Sequence, residues 1–124
     1  MNYAYIANVV TLVAVLIADI YDIKQSLKGI QKGVGVEGNS IITTLAGTNK
    51  PTFFQYLWIN LLIPILPLGV PGLISLHNPG LSAFSATALS FGIYSHIHGG
   101  LDWQYLINGG DPNKLNPAWW QKIL

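Results

Sequence analysis

Apolar residues in this chain collect into three long runs separated by polar links. The runs cover about residues 3–23, 53–76 and 81–107. A helix needs about 20 predominantly apolar residues to cross the hydrocarbon core of a bilayer, so each run is read as a spanning helix. Local signals agree with these limits. Thr52 and Gln55 have the spacing of a capping box ahead of the second run. Asn78-Pro79 places a cap and a first-turn proline ahead of the third. In the first link, Asn39 or Ser40 can cap a short helix over 41–46 that Gly47 ends. After the third run, Asn116-Pro117 opens a segment with Trp119, Trp120 and Lys122, the composition of an interfacial anchor. The expected fold is all-α. It is a single transmembrane domain over 1–124, built as an integral membrane helical bundle. Three transmembrane helices are joined by a short cytoplasmic link helix and followed by a C-terminal interfacial segment.

Each run has internal texture. In the first, Asn8, Thr11, Val15, Asp19, Asp22, Ser26 and Gly29 recur at spacings of three and four, which is one helical face. Lys24, Lys28 and Lys32 step by four along a face nearly opposite Asp22. The second run carries Pro64, Pro67 and Pro71, each of which removes a backbone donor. A kinked helix is expected, since membrane helices tolerate proline when neighbours satisfy the freed carbonyls; a broken helix lining a site is the alternative. In the third run, Ala88, Gly92, Ser95 and Gly99 form a small-residue face of the kind that admits close helix contact.

Composition sharpens the membrane reading. The chain is 51% hydrophobic and 9% charged, against about 25% charged in an ordinary soluble domain. Too few charges remain to cover a solvated surface, so lipid or partner protein is expected to face most of it. Cysteine is absent, which removes disulfides, thiolate metal sites and cysteine nucleophiles. A net charge of +1 without a basic cluster gives no reason to expect nucleic acid. No positive segment precedes Tyr3, so the first run is expected to be retained rather than cleaved as a signal. Lys24, Lys28, Lys32 and Lys50 lie between the first two runs, and Lys114 and Lys122 follow the third. The positive-inside rule then puts the first link and the C-terminus in the cytoplasm and the N-terminus outside.

Candidate chemistry lies where titratable groups meet the apolar runs. Asp19 and Asp22 end the first run, where they are expected to reach water at the cytoplasmic interface; buried, two carboxylates one turn apart would repel and need a metal or a proton. Glu37 and Asn39 sit in a glycine-rich link, expected to be a loop, although a fold-back would carry Glu37 toward the aspartates. His96 and His98 are about 200° apart on a helix and share a face only if the chain unwinds, for which Gly99-Gly100 gives an opening. His98 and Asp102, four apart, have the spacing of an imidazole–carboxylate pair, beside Trp103 and Tyr105 at the headgroup level. Asp19, Asp22, Glu37, His96, His98 and Asp102 are therefore the candidate metal-ligating or proton-carrying residues. A divalent metal is the cofactor this oxygen-rich set would suit.

No motif for catalysis is present: no H-E-x-x-H, no G-x-S-x-G and no phosphate-binding glycine loop. The expected role is a non-catalytic accessory or structural subunit of a larger membrane complex or homo-oligomer. Its partners would be the bilayer and other membrane subunits or further copies of itself. The alternative is an intramembrane metal-binding or proton-transfer site, serving an enzyme or an ion pathway.

Overall fold

The computed structural model describes residues 2–75 and 77–115. The expected C-terminal anchor around Trp119 and Trp120 lies outside them. All regular structure in the described residues is helical: α1 (Tyr3–Gln31), α2 (Ser40–Ala46), α3 (Phe53–Asn60), a π-helical segment (Leu61–Ile65), α4 (Leu66–Ile74), α5 (Pro79–Ile107) and a 3-10 turn (Pro112–Lys114).

The helix starts follow the sequence signals. Asn2 Oδ1 accepts from the Tyr5 amide at 3.1 Å and opens α1. Asn39 Oδ1 accepts from the Ile41 and Ile42 amides and opens α2. Thr52 and Gln55 form the reciprocal capping box of α3. Asn78 Oδ1 accepts from the Leu81 amide at 3.0 Å and opens α5. Both long helices end alike: Gly33 and Gly109 take positive φ, and the next amide bonds back to Gly29 and Tyr105 respectively. This closure satisfies carbonyls that the last turn leaves free.

The proline-rich run stays helical without a break. Pro64 cannot donate to the carbonyl four residues earlier, and the chain widens there into a π turn in which the Leu66 amide bonds to the Leu61 carbonyl. Helical structure resumes at once and carries Pro67 and Pro71 within α4.

α1 and α5, each 29 residues long, make the most extensive contact in the molecule. They run parallel in a constant register. Gly92 faces Val15, His96 faces Asp19 and Gly99 faces Asp22, so each partner lies 77 positions further along the chain. The seven-residue step from Val15 to Asp22, matched from Gly92 to Gly99, is the repeat of shallow-angle helix packing. The glycines are what allow it. A Cβ on Gly99 would sit 3.0 Å from Asp22 Oδ1, and one on Gly100 would collide with the Tyr21 ring. Gly99-Gly100 thus serves close approach, and α5 continues straight through it; the expected opening for unwinding is not used. Trp103 covers Gly29 and Gly35, packing inward where a headgroup-level side chain was expected.

Burial is inverted relative to a soluble bundle. Asn8, Asp19, Ser26, Asn60, Ser82 and Ser85 are buried. The apolar core is small, centred on Val15, Ile65 and Leu89. Val10, Val13 and Ile17 on α1, Phe54 and Trp58 on α3, and Phe84 and Phe91 on α5 are exposed. Buried polar groups tie the helices together: Asn8 Nδ2 donates to the Gly69 carbonyl at 3.2 Å and Ser82 Oγ to the Gly72 carbonyl at 3.1 Å.

Two helices, Tyr3–Gln31 and Phe53–Ile74, are long and apolar enough to cross a membrane, with mean hydropathies of 2.0 and 1.9. α5 has the length but not the apolarity, because serines and His96 and His98 interrupt it. The expectation of three spans is therefore met for two helices by composition, and α5 does not meet it.

Candidate functional site

The inward face of α1 is the polar stripe that the spacing predicts. Asn8, Val15, Asp19, Ser26 and Gly29 are buried, while Lys24, Lys28 and Lys32 are exposed. What the spacing does not reveal is how deep Asp19 lies. α1 continues twelve residues beyond it, about 18 Å at 1.5 Å per residue. Asp19 is 0% exposed, so the expectation that it reaches water at the end of the apolar run does not hold. Ending the apolar run did not end the helix, and α5 and α3 close over the side chain.

Two side chains meet Asp19. Asn60 Nδ2, on the last residue before the π turn, donates to Asp19 Oδ1 at 2.6 Å. His96 Nε2 lies 3.6 Å from the same oxygen. Asp19 Oδ2 has no hydrogen-bond partner among the described residues. The other ring nitrogen of His96, Nδ1, is 2.9 Å from Asp22 Oδ2. His96 thus bridges a fully buried carboxylate and a second, partly exposed one a turn further along α1. The 77-residue register of α1 against α5 sets His96 level with Asp19, and Gly99 gives Asp22 room.

The remaining candidates divide differently. Glu37 does come back to the bundle. Its amide bonds to the Asn49 carbonyl, its Oε2 accepts from the buried Tyr56 hydroxyl at 2.7 Å, and its Oε1 accepts from the Asn39 amide at 2.7 Å. The link is therefore a folded cap, and Tyr56 holds Glu37. His98 and Asp102 form the i, i+4 pair that their spacing predicts, 3.1 Å apart. Among the described residues no group of three or more His, Asp or Glu side chains is arranged to hold a metal ion.

Asp22, Glu37, His96 and Asp102 all line one partly open cavity of about 770 Å³ between α1, the first link, α3, the π-helical segment, α4 and α5. Asp19 lies behind His96 and does not line it. Such a volume is in the range of small-molecule sites, about 300–1,000 Å³. The cavity walls are mostly apolar, with Ile23, Leu68 and Leu106 among them. Asn60 and Tyr56 are the residues that the sequence reading missed. Each reads as an ordinary residue of an apolar helix; the available signal was a polar side chain (Asn60) inside an otherwise apolar run.

Comparison of the chain with protein-family models, with curated proteins and with solved structures finds no match.

Proposed function

We propose that this chain is a three-pass membrane protein whose working part is an intramembrane proton-transfer site, Asp22–His96–Asp19, facing a ligand cavity. The inverted burial supports the membrane setting: the outward surface is apolar and the polar groups point inward. α5 counts as the third span because it packs in register along α1, so a membrane crossed by α1 has α5 beside it. The serine and histidine side chains that lower its hydropathy include buried Ser82 and Ser85, and Thr87 and Ser90 return their hydroxyls to carbonyls of their own helix. The lysine distribution supports an N-terminus outside and a first link inside.

The observation that carries the proposal is the bridging imidazole. A neutral imidazole has one N–H and one lone pair, so it cannot donate to both aspartates at once. A proton arriving at Asp22 passes to Nδ1, and Nε2 releases one to Asp19 Oδ1 when the 3.6 Å between them closes to hydrogen-bond distance. The ring changes tautomer and no net charge is created on it. Asn60 keeps Asp19 Oδ1 in place. A metal at the same donors is the weaker reading, because His96 and the two carboxylates already contact one another.

Infrared spectroscopy of the protein in liposomes tests this. A carboxylic-acid C=O band that titrates with pH is expected in the wild type and is absent in Asp19→Asn. Exchange of that proton for deuterium slows at least about tenfold in His96→Gln, the low end of what a positioned acid–base group contributes being about a hundredfold. Identical spectra for wild type and Asp19→Asn would sink the proposal.

A second reading, an accessory subunit, is favoured by the outward stripe Phe84, Phe91 and Tyr94 on α5. Its choice would rest on co-purification with large partners in mild detergent together with no titrating carboxyl band.

A further inference from the structure

The cavity has a one-sided charge. Asp22, Glu37 and Asp102 line it, and no Lys or Arg does so among the described residues. The lysines of the same helical stretch, Lys24, Lys28 and Lys32, are exposed on the far side of α1. Glu37 accepts hydrogen bonds on both oxygens, from Tyr56 and from Asn39, which is the bonding of a carboxylate rather than a carboxylic acid. Aromatic side chains line it too: Tyr56, Trp103 and the largely exposed Phe91. Carboxylates with aromatic rings in a mostly apolar pocket are the chemistry that recognises an organic cation. The acids supply the field, and the rings attract positive charge through their quadrupole at about 0.5–2 kcal/mol per contact.

We infer that this cavity binds a monovalent organic cation with an apolar body, its charge between Glu37 and Asp22 and its body against the walls formed by α4 and α5. A simple metal ion fits poorly, because most of the wall is apolar and would leave its hydration shell unreplaced. An anion would meet the like charge of three partly buried acids. The inference rests on the proposed site in one respect: the cation shares Asp22 with the proton path. The titratable groups facing Asp22 and the bound charge are Asp19 on α1, Glu37 on the link, Tyr56 on α3, and His96 and Asp102 on α5, with His98 paired to Asp102.

The test uses two ions of nearly equal size and shape and opposite charge. Tetraphenylphosphonium and tetraphenylborate are titrated by equilibrium dialysis against the full chain in a neutral detergent, with protein-free detergent as the blank. One phosphonium per chain is expected, with the borate bound at least tenfold more weakly. Glu37→Gln and Asp22→Asn are each expected to weaken phosphonium binding at least about fivefold. Ala88→Trp, which fills the wall, is expected to abolish it. Circular dichroism and a single gel-filtration peak establish that each variant is folded. Because the wild-type comparison of cation with anion needs no variant, the inference stays open to refutation even if a substitution prevents folding. Equal binding of both ions, no saturable phosphonium binding, or a folded Glu37→Gln with wild-type affinity would each overturn it. Dialysis reads the cation and infrared spectroscopy reads the proton, so either can fail while the other succeeds.

Discussion

At the residue scale the site depends on a few short contacts made in a poorly polarisable setting. Asn60 is the clearest case. Its side chain donates to Asp19 Oδ1 at 2.6 Å, and both groups are buried. Removing the donor leaves Asp19 with His96 alone, at a longer 3.6 Å. A buried acceptor deprived of its partner costs about 1–3 kcal/mol. Asn60→Ala is therefore expected to lower stability by about that amount, read from the midpoint of a denaturant titration of the detergent-solubilised chain. A change below about 0.5 kcal/mol, the range of neutral surface substitutions, would mean that the contact carries no weight. Asp19 itself was visible in the sequence as an acid in an apolar run. Its depth was not, because burial depends on what α3 and α5 bring over it. For the same reason Asn60 and Tyr56 were not picked out: their importance comes from partners 41 and 19 positions away.

At the element scale, small residues decide how close α1 and α5 come. Gly100 lies against the Tyr21 ring, whose hydroxyl donates to Gln104 Oε1 at 3.2 Å. Any side chain at position 100 must push the helices apart or displace that ring. Gly100→Leu is expected to cost about 1–3 kcal/mol, the usual penalty for overpacking, and to weaken the His96–Asp22 contact four residues away. Gly38→Ala is the control. It meets nothing within 4 Å and needs no positive φ, so stability is expected to be unchanged in the same titration. Equal stability for Gly100→Leu and Gly38→Ala would show that the α1–α5 register does not depend on the glycine. The small-residue face of α5 was legible from spacing alone. Its partner was not, since a face of Ala, Gly and Ser states that something approaches closely but not what.

At the scale of the whole molecule, the absence of cysteine makes the proposed topology directly measurable. Single cysteines can be placed in the two links without interference from native thiols. His77→Cys is expected to react with a membrane-impermeant maleimide in intact cells. Asn49→Cys, exposed in the first link, is expected to react only after permeabilisation. The reverse pattern would invert the orientation, and reaction of both from one side would remove the second span. The cavity is a property of this scale too. Its walls come from six parts of the chain, and its acids are drawn from α1, the link and α5.

The sequence by itself determined where α2, α3 and α5 begin, because caps and first-turn prolines act over a few residues; it did not determine the end of α1, which runs past the apolar stretch to Gln31. It also determined which face of α1 turns inward, because Lys24, Lys28 and Lys32 cannot share a face with Asp19 and Ser26 at helical spacing. Only the tertiary structure decided that α5 stays helical through Gly99-Gly100, that the proline-rich run continues through a π turn, and that Trp103 packs inward. Tertiary packing alone also set His96 between Asp19 and Asp22, and brought Glu37 back to the bundle, where Tyr56 holds it. Those outcomes depend on the register between helices far apart in the chain, and register is fixed by mutual packing, which no local pattern encodes.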